Sequence, residues 1–165
     1  MPDFTISAVE GVSDAEALAL YAAVGWTAYT REPQLLMRAL RNSSFVVAAR
    51  DGGGRLVGLT RAISDDATIC YVQDILVEPA FQGSGIGRQL LEAVQIRFGH
   101  VRQSVLLTDD EPDQRAFYEA LGFTDGADFS PAPLRVFALF RSSASPAPPA
   151  VQPGAIRDSP SYPTP

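Results

Sequence analysis

Hydrophobic and polar positions change rhythm along the chain, and the rhythm marks out its elements. Phe4-Thr5-Ile6-Ser7-Ala8-Val9 alternates with period two and predicts a first strand. Ser13 or Asp14 can cap a helix over residues 15–24, which Gly25 ends. A second helix begins at Pro33, a favoured first-turn residue, and carries Leu35, Leu36, Ala39 and Leu40 on one face. Residues 45–50 read as a buried strand, Asp51-Gly52-Gly53-Gly54 as a hairpin turn, and residues 55–63 as the next strand. After a turn at Asp65-Asp66, residues 67–77 form a long strand, apolar enough to be central. A helix over 86–98, a strand over 101–108 and a helix over 112–121 follow, with Gly122 as terminator. Phe123 onward and residues 134–140 are expected to be closing strands, joined by a loop bearing Gly and Pro. Residues 141–165 are rich in Ser, Ala and Pro and cannot bury enough to order themselves. The reading is one domain over 1–140 and a disordered tail over 141–165.

Between the long strand and the helix that follows lies Gln82-Gly83-Ser84-Gly85-Ile86-Gly87-Arg88. A glycine-rich turn there leaves backbone N–H groups pointing outward with no side chains in the way. The positive end of the helix dipole adds to them, and together they make a receptor for a pyrophosphate. The dinucleotide fingerprint G-x-G-x-x-G does not fit, because the third glycine arrives one residue early. The triphosphate loop needs Gly-Lys before Ser or Thr, and the chain contains no lysine.

Composition narrows the partners. The 165 residues suit one domain with a substantial core, and 46% hydrophobic with 19% charged residues is ordinary for a folded soluble protein. A net charge of −6 without a basic run makes nucleic acid an unsuitable partner. A single cysteine, Cys70, and a single histidine, His100, argue against a disulfide framework and a zinc site. The N-terminus lacks a basic region followed by an apolar one, and no apolar run approaches about 18 residues, so a cytoplasmic protein with no membrane span is expected.

The loop resembles the acetyl-CoA loop of the GNAT N-acetyltransferases, Gln/Arg-x-x-Gly-x-Gly/Ala, matched by Gln82, Gly85 and Gly87. Asp74-Ile75-Leu76-Val77-Glu78-Pro79 resembles that family's central strand running into the loop. Ala116-Phe117-Tyr118-Glu119-Ala120-Leu121-Gly122-Phe123 resembles its FYxxxGF segment. Two motifs in the right order make the resemblance specific at 74–88 and 116–123, and the element order extends it over most of 4–140. The run Gly58 to Asp65, then Gln73 to Val77, is most similar to a branch with plant chloroplast serotonin and lysine acetyltransferases. The resemblance implies an α+β fold, a mixed and mostly antiparallel sheet with splayed central strands. It also implies transfer of acetyl from acetyl-CoA to a small-molecule amine or a lysine side chain by direct attack in a ternary complex, without a metal. Homodimers are common in the family.

By the same resemblance, Ile75, Leu76 and Val77 hydrogen-bond the pantetheine arm like a missing strand, with the Val77 N–H against the acetyl oxygen. The N–H groups of Gly83, Ser84, Gly85, Ile86, Gly87 and Arg88 hold the pyrophosphate, and the three glycines leave room for its close approach. Tyr118 is the candidate general acid for the leaving thiolate; the competing reading is a core aromatic beside Phe117 and Phe123. Asp74 is the candidate base, directly or through water, against an ion pair with Arg61. Trp26, Tyr29 and Tyr71 are candidates for an amine pocket, Trp26 through cation–π contact, against core packing. Arg88 either reaches a phosphate or is a surface helix residue. Asp65 and Asp66 read as a solvated turn, Cys70 as a small buried hydrophobe and His100 as an exposed residue at a helix end. The family's coenzyme-contacting asparagine, seven residues before the tyrosine, is replaced by Glu111, and Asp109, Asp110 and Glu111 should point to water. The alternative to an enzyme is a coenzyme-binding sensor that catalyses nothing; a different acyl chain is a third reading.

Overall fold

The computed structural model describes residues 3–9 and 11–140, so the tail expected over 141–165 lies outside them. The first of two compact units ends at Asp125 and the second begins at Gly126. In chain order the first holds β1 (Phe4–Ala8), α1 (Asp14–Ala23), α2 (Thr27–Thr30), α3 (Pro33–Arg41), β2 (Phe45–Asp51), β3 (Leu56–Ser64) and β4 (Ile69–Val77). After the glycine loop come α4 (Ile86–Arg97), β5 (Gln103–Leu106) and α5 (Pro112–Glu119). One sheet runs β1-β2-β3-β4-β5; every neighbouring pair is antiparallel except β4 and β5, which are parallel. The fold is therefore α+β with a mixed, mostly antiparallel sheet.

Side-chain alternation along β2 explains the layers. Val47 and Ala49 enter the core under α4, while Val46 and Ala48 enter the core under α1 and α3. On α4, Ile86, Leu90, Leu91 and Val94 fall on one face at helical spacing and are all buried. Burying each contributes about 1.5–3 kcal/mol. On α1, Ala17, Leu20 and Tyr21 do the same from the other side. Ser13 caps α1 with a reciprocal capping box to Glu16. Glu16 also pairs with Arg50 on β2, and that bond, with Ser13, holds its carboxyl at about 2. Gly58 lets α4 approach the sheet: a Cβ there would meet Ile86 Cγ2 at 2.8 Å and the Leu76 carbonyl at 3.2 Å.

Two expectations from the sequence are corrected. The four-residue α2 was not anticipated; Trp26 precedes it without a side-chain cap, so local signals are weak. The closing strands after Phe123 and over 134–140 are absent among the described residues. The second unit instead has a tight turn at Gly126–Asp128, a Leu134 N–H donated to the Gly126 carbonyl at 2.7 Å, and an irregular run to Phe140. Apolar, aromatic-rich composition supplies strand propensity, but a strand exists only with a ladder partner. No helix among the described residues is long and apolar enough to cross a membrane.

Candidate functional site

The site begins with one extra residue. Arg61 pairs with Asp74 across β3 and β4, but the next pair is Ala62 with Val72, which leaves Gln73 unpaired as a bulge. An extra residue shifts the period-two alternation by one, and side chains change faces. Cys70 and Val72 lie in the α4-side core; beyond the bulge Leu76 lies in the α1/α3-side core, and Ile75 and Val77 pack toward α4. Pairing with β5 also stops at Val72 and Leu106. Past the bulge, therefore, β4 has a free edge where β5 has diverged. The Glu78 N–H goes to the Val57 carbonyl on β3 at 2.9 Å. Because successive N–H groups point to opposite edges, those of Val77 and Ile75 face the open side, and that of Leu76 faces β3.

The glycine loop sits directly beyond this edge. Gln82 donates its side-chain amide to the Val77 carbonyl at 3.3 Å, and Ser84 Oγ donates to the Phe81 carbonyl at 2.5 Å. Gly83 and Gly85 take φ of +75° and +90°, the left-handed region that other residues rarely enter. A Cβ on either would meet nothing, so it is the backbone conformation that requires glycine. Gly87 differs: a Cβ there would touch Phe117 and Val77 at 3.5 and 3.7 Å, which are ordinary contacts. Its glycine is not demanded by crowding. The N–H groups of Gly83, Gly85, Ile86, Gly87 and Arg88 have no acceptor among the described residues, whereas that of Ser84 goes to Phe81. They cluster at the positive end of the twelve-residue α4. The donor set fits a diphosphate. Arg88 is half-exposed and lies 3.5 Å from Glu92, a surface pair one helical turn on.

A cleft of about 190 Å³ occupies the gap between β4 and β5. Its walls come from both sides of the sheet: Trp26 and Gln73 on one, Ile75 and Tyr118 on the other, with Thr108, Asp109 and Gln114 at the margin. Tyr118 thus opens into the same cleft as the free β4 edge, while its ring also packs against Phe117 and Phe123 at 5.1 and 6.1 Å. Burial pushes its phenol above the usual 10, and the Thr108 side chain partly offsets this. A phenol so shifted keeps its proton at neutral pH. Asp109, Asp110 and Glu111 are all exposed, as expected, and Asp109 also lines the cleft.

Asp74 borders the cleft, yet its side chain has no surface open to solvent. Oδ2 accepts from the Tyr21 hydroxyl at 2.7 Å and from Arg61 Nε, and Oδ1 accepts from the Tyr29 hydroxyl at 3.1 Å. Of the two roles open to Asp74, the ion pair with Arg61 is present. Thr60 Oγ1 donates to its carbonyl at 2.8 Å, so both main chain and side chain hold the bulge. Burial, then the Asp74 charge, drives the Tyr21 phenol far above its ordinary value and raises Tyr29 as well. Burial opposes the Arg61 cation, but the Asp74 carboxylate outweighs it and its pKa rises.

The three aromatic candidates separate. Trp26 lines the cleft and stacks on Tyr29, with ring centres 5.8 Å apart. Tyr29 instead serves the buried network, donating to Asp74 and accepting from Gln73 Nε2 at 3.3 Å. Tyr71 is half-buried on β4 and is not among the cleft-lining residues. Asp65 accepts from the N–H groups of Ala67, Thr68 and Ile69 in a solvated turn. Cys70 is buried in the core and its thiol is pushed up by burial, and exposed His100 lies against Asp66. Among the described residues, no group of three His, Cys, Asp or Glu side chains could hold a metal. Sequence reasoning missed Tyr21, Gln73 and Thr108. Tyr21 carried one signal: a polar tip on the apolar face of α1, which needs a partner when buried.

Comparison with known proteins agrees with this geometry. Residues 41–125 match the acetyltransferase (GNAT) domain family. The uncharacterized N-acetyltransferase ycf52 of Pyropia yezoensis is 30% identical over 76% of this chain and 73% of its own length. The chloroplastic serotonin N-acetyltransferase 2 of Oryza sativa subsp. japonica is 32% identical over 74% of this chain and 60% of its own. Among solved structures, the GNAT-family acetyltransferase SP0256 of Streptococcus pneumoniae TIGR4 superposes with a TM-score of 0.72 at 31% identity, covering 84% of this chain and 99% of that one.

Proposed function

From the premise that the chain belongs to the GNAT acetyltransferase family, we propose that it transfers acetyl from acetyl-CoA to a primary amine by direct attack in a ternary complex. The observation that carries this reading is the continuous set of free donors. The unpartnered N–H groups of residues 83 and 85–88 lead into the open edge of β4 and on to the cleft holding Tyr118.

In this reading residues 83–88 grip the diphosphate, and the Ile75 and Val77 N–H groups receive the pantetheine arm at the edge β5 leaves. The neutral amine enters the cleft beside Trp26 and attacks the thioester carbonyl. A C–N bond forms and the C–S bond breaks. The Val77 N–H donates to the oxygen on which negative charge builds, where a fixed donor is worth most. The Tyr118 hydroxyl gives its proton to the departing thiolate, the ammonium proton leaves through the open cleft to water, and water returns a proton to the Tyr118 phenolate. Proton transfer from a phenol near 10 to a thiolate near 8.5 is uphill by about 2 kcal/mol or more. It therefore has to be coupled to C–S cleavage. Asp74 acts here as the anchor of the bulge rather than as the base. Serotonin is the acceptor named for the rice relative, and an arylalkylamine or a lysine side chain suits a cleft walled by Trp26.

The test is calorimetry with coenzyme A and acetyl-CoA, followed by thiol release over a panel of amines. Binding with amine-dependent thiol release is expected. Absence of heat with well-folded protein overturns the reading; heat without release over the panel leaves the coenzyme-binding sensor.

A further inference from the structure

The bulge that opens the sheet also carries a side chain that the steps above leave idle. Gln73 is the residue extruded from the β3–β4 ladder, and it lines the cleft with Trp26 and Tyr118. Its amide has two ends, and the buried network decides which one stays free. The Asp74 carboxylate only accepts, so the Tyr29 hydroxyl, 3.1 Å from Oδ1, gives its single proton there. Tyr29 then offers only lone pairs to its other neighbour. The end of Gln73 that lies 3.3 Å from the Tyr29 oxygen is therefore the NH₂. Oε1 is left as the free end of a cleft-lining side chain, and it takes no donor among the described residues. The Asp74 charge, paired with Arg61, thus orients a neutral acceptor two hydrogen bonds away.

The other side-chain oxygens of the cleft are engaged or peripheral. Gln114 Oε1 takes the Thr108 hydroxyl at 3.3 Å, and Asp109 is exposed at the margin. Asp74 has its oxygens on Tyr21, Tyr29 and Arg61. Resting on the acetyl-transfer reading, we propose that Gln73 is a catalytic residue. Its Oε1 accepts an N–H of the attacking amine and aims the nitrogen lone pair at the thioester, with Tyr29 as the positioning residue behind it. The cleft is only about 190 Å³, so an amine attacking beside Tyr118 is also within reach of Gln73. A neutral acceptor suits the step. A carboxylate in its place would favour the ammonium form, which has no lone pair and cannot attack. The amide oxygen binds the neutral amine, and the bond gains charge assistance only as the C–N bond forms and the nitrogen becomes positive. The contact is therefore stronger in the transition state than in the ground state, and its loss falls on kcat rather than on KM. No atom changes hands in it, and the ammonium proton still leaves to water.

The experiment compares wild type, Gln73→Met and Gln73→Glu as full chains, by thiol release over the amine panel, phenethylamine and a lysine peptide included. Gln73→Met keeps the length of the side chain and removes its acceptor. It should lower kcat roughly 10–100-fold with KM for the amine within roughly threefold, the loss of one hydrogen bond to a group that becomes charged. Its heat with coenzyme A and its urea midpoint should match wild type, since the glycine loop and the Asp74 network are untouched. Gln73→Glu restores an acceptor whose two oxygens are alike, so orientation no longer matters. Its kcat should recover at alkaline pH, and the acidic limb of kcat, where the bound amine loses its proton, should move up by about one pH unit or more. Asp74, Asp109 and Tyr118 line the same cleft and Tyr29 stands behind it in all three proteins, so they do not account for that movement. A wild type that releases no thiol with any amine overturns the acetyl-transfer reading and this inference with it. A wild type that turns over, with Gln73→Met folded and within roughly twofold of its kcat, overturns this inference alone. A loss confined to KM does the same. Where Gln73→Met unfolds, Gln73→Glu decides: an unmoved acidic limb removes the contact with the amine.

Discussion

Asp74→Asn separates an anchor from a base. The substitution removes one negative charge and keeps the shape. In the native network Oδ2 takes two donors, Tyr21 and Arg61, and Oδ1 takes Tyr29. An asparagine can keep its oxygen toward Tyr21 and Arg61 and turn its NH₂ to the Tyr29 oxygen, with the Tyr29 hydroxyl, now without its acceptor, turning its proton elsewhere. The charge is what disappears, and it leaves the largely buried Arg61 cation without its anion. Breaking a buried pair from one side costs about 3–5 kcal/mol. Charge-assisted bonds also become neutral ones. Against a typical total of about 5–15 kcal/mol this is a large fraction. At roughly 2–4 °C per kcal/mol for a chain of this size, the midpoint should fall by roughly 10 °C. Urea unfolding supplies the free energy, and a double-mutant cycle with Arg61→Met should give a coupling of at least about 2 kcal/mol. If Asp74→Asn unfolds within about 1 kcal/mol of wild type while turnover collapses, the anchor reasoning is wrong and the base assignment returns.

Three further substitutions test other parts of the site and fold. Tyr118→Phe keeps the ring packed on Phe117 and Phe123 and should lower kcat roughly 10²-fold with less than about 1 kcal/mol of stability lost; near wild-type turnover would exclude the acid role. A wild-type profile should also fall at high pH as the raised phenol ionises, and the variant should lack that limb. Gly85→Ala meets no atom but must adopt φ near +90°, costing about 1–2 kcal/mol, and should raise KM for acetyl-CoA roughly tenfold by re-aiming the loop amides; an unchanged KM would remove the loop from binding. Glu16→Gln keeps the capping box but loses the Arg50 pair. The folded carboxyl sits near 2 against an ordinary 4.5, so its contribution is present above 4.5 and lost as pH falls toward 2. Melting curves of the two proteins should differ at pH 6 and converge by pH 2; a constant gap would refute the linkage.

Some of the site was legible because its chemistry is local. The 83–88 donors need only glycine at positions of positive φ and a helix start immediately after, and both are written in consecutive residues. Tyr118 was legible through its motif rather than through physics. Its neighbour Thr108 and the cleft they share depend on how far β5 diverges. The Arg61–Asp74 pair was open as one of two roles, but nothing local could weigh it. The aromatic candidates could not be separated either, since Trp26, Tyr29 and Tyr71 have similar chemistry and differ only in what lies opposite.

The sequence alone therefore determined the element types through 121, apart from the short α2, and the glycine turn that opens α4. These rest on backbone preferences and periodicity within about a dozen residues. Only the tertiary structure decided that Gln73 is extruded, that β4 changes faces beyond it, and that Tyr21, 53 positions away in the chain, closes on Asp74. A bulge moves when a ladder slips by one residue, and the slip is resolved by the summed packing of two cores on opposite faces of the sheet. No stretch of sequence short enough to read by pattern contains that sum. For the same reason residues 134–140 carry strand propensity without a strand: a ladder requires a second edge, and the edge is not part of the segment.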